Sequence, residues 1–130
     1  MGPAGASVLK EMTKSLLIVR ESGMDDQLIH SMIDPAASVC HVLSCFGLEE
    51  SLIFLKSTSR ERKQLPDLIV IDLDLPDRGG IELLKELQNF IRECNFMPRV
   101  IVIGSKLDEQ DTEAAMVYPC VRSVVRKPVH

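Results

Sequence analysis

The stretch Asp67-Leu-Ile-Val-Ile-Asp72 constrains this chain more than any other. Four apolar residues follow one another without alternation, so both faces of the strand they form must be covered. Central strands of parallel sheets have that character. Pro76 and Gly79-Gly80 then turn the chain. Ile81, Leu84, Leu87 and Ile91, with Leu83 and Phe90 beside them, mark an amphipathic helix ending near Cys94. The same alternation runs through the rest of the chain. Ser15 to Val19 reads as a buried strand, and Asp25 to Asp34 as a helix with Leu28, Ile29, Met32 and Ile33 on one face, ended by Pro35. Val39 to Cys45 is a second strand, Gly47 a break, and Leu48 to Ser59 a helix followed by a solvated polar segment to Gln64. Arg99 to Ile103 is the fourth strand, Asp108 to Val117 a weaker helix, and Val121 to Arg126 a fifth strand running into Lys127-Pro128. Strands alternating with helices predict an α/β fold, a doubly wound parallel sheet with helices on both faces. No covering helix follows the fifth strand, so the final helix is expected to be absent, truncated, or part of a longer parent. Residues 1–14, with Gly2, Pro3 and Gly5, read as a flexible leader, and 15–130 as the one domain.

Charge and length exclude several functions. Nineteen acidic against fifteen basic residues give a net charge of −4, and no long basic block is present. A nucleic-acid backbone binder depends on clustered Lys and Arg, so no nucleic-acid partner is expected. No apolar run approaches the ~20 residues needed to span a bilayer, and no signal-peptide layout opens the chain. A cytoplasmic protein with no membrane partner is the expectation. Cys40, Cys45, Cys94 and Cys120 form no C-x-x-C pair. Cys40 and His41, adjacent on a strand, would point to opposite faces, which argues against a shared metal.

Ligands of open parallel sheets bind outside the carboxyl ends of the strands. Those ends carry Arg20-Glu21, Asp72, Gly104-Ser105 and Lys127. Two carboxylates and a lysine at one rim suit a divalent metal and a phosphoryl group, because Mg²⁺ takes a few oxygen ligands plus phosphate oxygens and an ammonium offsets phosphate charge.

The segment LPDLIVIDLDLPDRGGIELL (65–84) resembles the phosphoacceptor region of response-regulator receiver domains of two-component signalling, and Lys127-Pro128 resembles their Lys-Pro signature. Phe54-Leu55 and Pro66-Asp67-Leu68 make the likeness strongest to small phytochrome-associated single-domain regulators. The resemblance spans about residues 15–130. It implies a flavodoxin-like, five-stranded sheet of order 2-1-3-4-5 and a non-enzymatic protein that accepts a phosphoryl group on Asp72 from a histidine kinase or photoreceptor kinase. It further implies Mg²⁺ held by Asp72, by Glu21 and by the backbone carbonyl of Asp74, with Lys127 on the phosphoryl oxygens.

Three positions depart from the family pattern. Arg20 stands where one of two acidic residues is usual. A guanidinium ~6 Å from Mg²⁺ would repel it by roughly 5 kcal/mol at an effective dielectric of 20, and by about 1–2 kcal/mol if solvated. That weakens metal binding without forbidding it, since a long Arg side chain can swing into water. Gly104 falls where a Thr or Ser hydroxyl is usual, leaving Ser105, one residue on, as its substitute. Val124 replaces a switching aromatic on the fifth strand. Two readings of the family therefore stay open: a working phosphoacceptor, or a phosphorylation-independent pseudo-receiver. The latter would bind a partner or form a homodimer through the helix 4/strand 5 face, the helix over 108–117 and the strand over 121–126. A distant enzyme alternative is a phosphatase of the haloacid-dehalogenase type, with Asp72 as nucleophile and Asp74 as general acid.

Overall fold

Apolar runs without alternation become the inner strands of the sheet. In the computed structural model, which describes residues 15–20, 41–75, 79–105 and 107–126, the five strands are β1 (Ser15–Arg20), β2 (His41–Phe46), β3 (Leu68–Asp72), β4 (Arg99–Gly104) and β5 (Val121–Arg126). All neighbours pair in parallel, in the order β2-β1-β3-β4-β5. The inner strands β1, β3 and β4 carry Leu16–Val19, Leu68–Asp72 and Val100–Gly104, all buried, whereas β2 and β5 at the edges are largely exposed or half-buried. The sequence reading of an α/β, flavodoxin-like sheet of this order therefore holds. Its strand over 39–45 runs instead from His41 to Phe46 among the described residues.

Three helices are described: α1 (Gly47–Arg60), α2 (Gly79–Cys94) and α3 (Glu109–Met116). All three bear on the face of Leu17, Val19, Ile69, Ile71, Val100 and Val102, where Leu55, Leu83, Leu84, Leu87, Phe90 and Ala115 complete the core. The opposite face, Leu16, Ile18, Leu68, Val70, Ile101 and Ile103, is also buried. The expected leader (1–14), the helix over 25–34, Glu21 and Lys127-Pro128 lie outside the described residues.

Local chemistry sets where the helices stop. Asn95 has φ of 51°, the Phe96 N–H donates to the Ile91 carbonyl at 3.2 Å, and the Phe96 ring meets Phe90 edge-on at 5.9 Å. That is a Schellman ending, in which a left-handed residue lets the chain satisfy a terminal carbonyl and close an apolar contact. Arg62, φ 58°, ends α1 in the same way, with Lys63 N–H on the Thr58 carbonyl at 3.0 Å. The start of α3 is fixed by a side chain instead. The Asp108 carboxylate accepts from the Asp111 N–H at 2.8 Å, and the Asp111 carboxylate from the Asp108 N–H at 3.5 Å.

Candidate functional site

The carboxyl ends of β1, β3 and β4 form one rim, and register decides what stands on it. Asp72 ends β3, paired with Ile103 of β4, and the ladder runs one step further through Leu73 N–H to the Ile103 carbonyl at 2.8 Å. One step beyond the last β1–β3 pair, Val19 with Ile71, come Arg20 and Asp72. Asp72 is only 2% exposed. A carboxylate buried to that degree needs hydrogen-bond donors, and its Oδ1 accepts from the backbone N–H of Asp74 at 2.8 Å. An aspartate bonding its own backbone two residues on is an Asx turn, the device that bends the chain out of β3.

Gly80 lets α2 begin against that turn. A Cβ there would lie 2.8 Å from the Asp72 carbonyl oxygen and 3.0 Å from Leu73 Cα. Both are backbone atoms that cannot yield, so only glycine allows the first turn of α2 to sit behind Asp72.

Register confirms that Gly104 is the last residue of β4, paired with Arg126 of β5. The space a side chain would fill at 104 is taken by Leu107, whose Cδ2 would be 2.7 Å from an added Cβ. Ser105 follows, exposed. Its backbone N–H donates to both Asp74 carboxylate oxygens, at 3.0 and 3.3 Å. The loop is held from its other side by Arg126, whose Nη2 donates to the Leu107 carbonyl at 3.0 Å. The structure thus brings Asp72, Asp74, Gly104 and Ser105 together at one rim.

At the β1 end, the Arg20 guanidinium lies over the Phe46 ring, 5.5 Å from its centroid, with Arg20 and Phe46 in register on β1 and β2. A cation–π contact of this kind is worth ~0.5–2 kcal/mol. It places the guanidinium beside β2, where the sequence reading had only its length and charge. Phe46 in turn caps α1, its N–H donating to the Glu50 carboxylate at 3.0 Å.

Oxygen donors suit Mg²⁺, which keeps several waters and needs few protein ligands. The buried Asp72 carboxylate and the adjacent Asp74 backbone are compatible with that requirement. Among the described residues no three His, Cys, Asp or Glu side chains converge on one point. The expected set uses one described carboxylate, a backbone carbonyl and Glu21. Cysteine takes no part in the described site: burial pushes the Cys45 and Cys120 thiols up, the nearby Glu50 carboxylate adding to the effect at Cys45.

Sequence reasoning missed Leu107, Phe46 and Arg126 as neighbours of the site. None carries a motif, and only the pairing of strands brings them in. Val124, on β5, is half-buried and packs against the main core.

Comparisons with known proteins agree with this fold. The family model described as the response regulator receiver domain matches residues 16–130. The polar-differentiation response regulator DivK of Brucella abortus is 28% identical over 118 residues, covering 91% of this chain and 87% of DivK. The protein-glutamate methylesterase/protein-glutamine glutaminase 3 of Paramagnetospirillum magneticum is 27% identical over 88% of this chain, which spans only 29% of that relative. The structure of the phosphorylated cyanobacterial phytochrome response regulator RcpA superposes with a TM-score of 0.72 at 24% identity, covering 90% of this chain and 82% of that one. Among the described residues no helix is long and apolar enough to cross a membrane. The chain therefore belongs to the response regulator receiver domain family, a receiver domain of two-component signalling.

Proposed function

We propose that this receiver accepts a phosphoryl group on Asp72 from the phosphohistidine of a histidine kinase. The observation that carries the reading is the Asp72 carboxylate itself, buried at the end of the central strand and aimed by the Asp74 N–H. An Asp72 carboxylate oxygen attacks phosphorus as the P–N bond of the donor breaks; the electron pair leaves with the imidazole, and an acyl phosphate remains on β3. Receiver domains interact with histidine kinases and bind Mg²⁺ as a family. Here Asp72, the Asp74 carbonyl and Glu21 would hold the ion. Bound there, Mg²⁺ supplies charge neutralisation for the transferring phosphoryl oxygens. Lys127, directly after β5, would add a point charge on the same oxygens. The work is that of a cytoplasmic signalling domain, with no turnover of an outside substrate.

A specific observation keeps the pseudo-receiver as a second reading. Gly104 carries no hydroxyl, Leu107 Cδ2 lies 2.7 Å from where its Cβ would stand, and Met116 and Val117, 47% and 71% exposed, leave an apolar spot beside β5. A homodimer or partner would use that surface.

Incubation with acetyl phosphate and Mg²⁺, read by intact mass, decides between the two. Addition of one phosphate to the wild type and none to Asp72→Asn supports the phosphoacceptor. An unmodified wild type, together with a dimer broken by Met116→Glu in sedimentation, supports the pseudo-receiver.

A further inference from the structure

We infer that Asp74 gates the phosphoryl site by occupying, with its own carboxylate, the backbone donor that an incoming phosphoryl oxygen would need. The inference rests on the reading of Asp72 as phosphoacceptor and adds a residue that limits it. Asp74 touches both sides of the rim. Its backbone N–H donates to Asp72 Oδ1 at 2.8 Å, and its carboxylate accepts from the Ser105 N–H at 3.0 and 3.3 Å. A single residue therefore spans the gap between the phosphoacceptor carboxylate and the backbone amide at the end of β4.

A phosphoryl group on Asp72 would stand within one residue's span of this amide, because Asp74 bonds the Asp72 carboxylate through its N–H and the Ser105 N–H through its carboxylate. Its oxygens seek N–H donors, because each charge-assisted bond stabilises the anion. With Gly104 in place of a hydroxyl residue and Leu107 packed over it, the strand end offers no side-chain donor at 104. The Ser105 N–H is then the backbone donor at that strand end, and the Asp74 carboxylate holds it. Two anions cannot share one N–H without repelling each other, so phosphorylation requires the Asp74 side chain to leave. Room for that movement exists: Asp74 itself lines a cleft of about 360 Å³, with Leu73, Ile81, Leu107 and Asp111 among its other walls. Arg126, on the Leu107 carbonyl at 3.0 Å, keeps the loop in place meanwhile. The Asp74–Ser105 contact acts as an autoinhibitory latch, and its release couples phosphorylation to the loop leading into α3.

The test is beryllofluoride binding, a phosphoryl mimic, followed by ¹H–¹⁵N NMR of wild type, Asp74→Ala, Asp74→Asn and Asp72→Asn at Mg²⁺ concentrations saturating for each protein. In the absence of the mimic, the Ser105 amide proton moves upfield in Asp74→Ala, as a bond to a carboxylate is lost, and less in Asp74→Asn, whose amide oxygen still accepts. Asp74→Ala binds beryllofluoride about tenfold more tightly than wild type, the factor one hydrogen bond to a charged group represents, with Asp74→Asn in between. Wild-type-like or weaker binding by Asp74→Ala, while Asp72→Asn abolishes binding, overturns the gate and leaves the phosphoacceptor standing. No binding by wild type or either Asp74 variant overturns the phosphoacceptor reading and the gate with it. A Ser105 amide that stays in place in Asp74→Ala removes the latch whatever the affinities.

Discussion

Helices α2 and α3 lie on the same face of the same sheet, yet different forces hold them. α2 spans sixteen residues and buries Gly80, Leu83, Leu84, Leu87 and Phe90, ending in a Schellman motif closed by Phe96. α3 spans eight residues and buries only Ala115. Its position depends on polar contacts: the Asp108–Asp111 capping box, Arg126 on the Leu107 carbonyl, and Asp74 on the Ser105 N–H. Each fully buried aliphatic side chain contributes ~1.5–3 kcal/mol, whereas a hydrogen bond contributes ~0.5–1.5 kcal/mol net. The difference teaches how a receiver can be rigid and responsive at once. Asp72 sits between the end of β3 and the start of α2, where burial fixes geometry. The segment leading into α3 hangs on hydrogen bonds, of the kind a new anion nearby can replace.

The largest effect should come from cutting into α2. Leu87 is fully buried, and Leu87→Ala should lower unfolding free energy by about 3 kcal/mol in urea titration, through lost transfer energy and the cavity left behind. A loss under about 1 kcal/mol would mean that α2 is not the anchored partner. Next comes Gly80→Ala, expected to cost about 2 kcal/mol, because the new Cβ meets the Asp72 carbonyl and Leu73 Cα rather than a side chain that can turn away. It should also disturb the amides of residues 72–74, which a change confined to the helix would leave alone. Smallest is Asp108→Ala, at about 1 kcal/mol for the cap. Amide exchange sharpens the comparison further: α3 amides should exchange faster in Asp108→Ala while α2 amides keep their rates relative to global unfolding. If α3 in the wild type already exchanges as slowly as α2, the contrast between the two helices is wrong.

The two sides of the Asp72 rim were not equally legible from the residues. Asp67 to Asp72 announced a central strand because a non-alternating apolar run has only one comfortable place in a soluble domain. The position of Gly104 was also readable, since counting along Val100 to Ile103 puts it at the strand end, and the register agrees. The charge of Arg20 was legible, but nothing in the sequence says that Phe46, twenty-six positions away, lies beside it in the register of β1 and β2. Leu107 was silent for the same reason. A leucine in a loop carries no motif, and only the fold sets its side chain over the missing Cβ of Gly104.

What the sequence by itself determined are the properties that depend on neighbours along the chain. These are the strand cores from unbroken apolar runs and α2 from its helical spacing; the Asp108 cap of α3 and the Asx turn of Asp72 with Asp74, seen in the structure, are local in the same way. Each arises from contacts a few residues apart, where composition and spacing already state the energetics. Only the tertiary structure decided what meets across strands: Arg20 on Phe46, Arg126 on Leu107, and Asp74 on Ser105, a pair thirty-one positions apart. Such contacts depend on strand order and register, which put distant residues at one rim. There the same aspartate can help build the site and stand in its way.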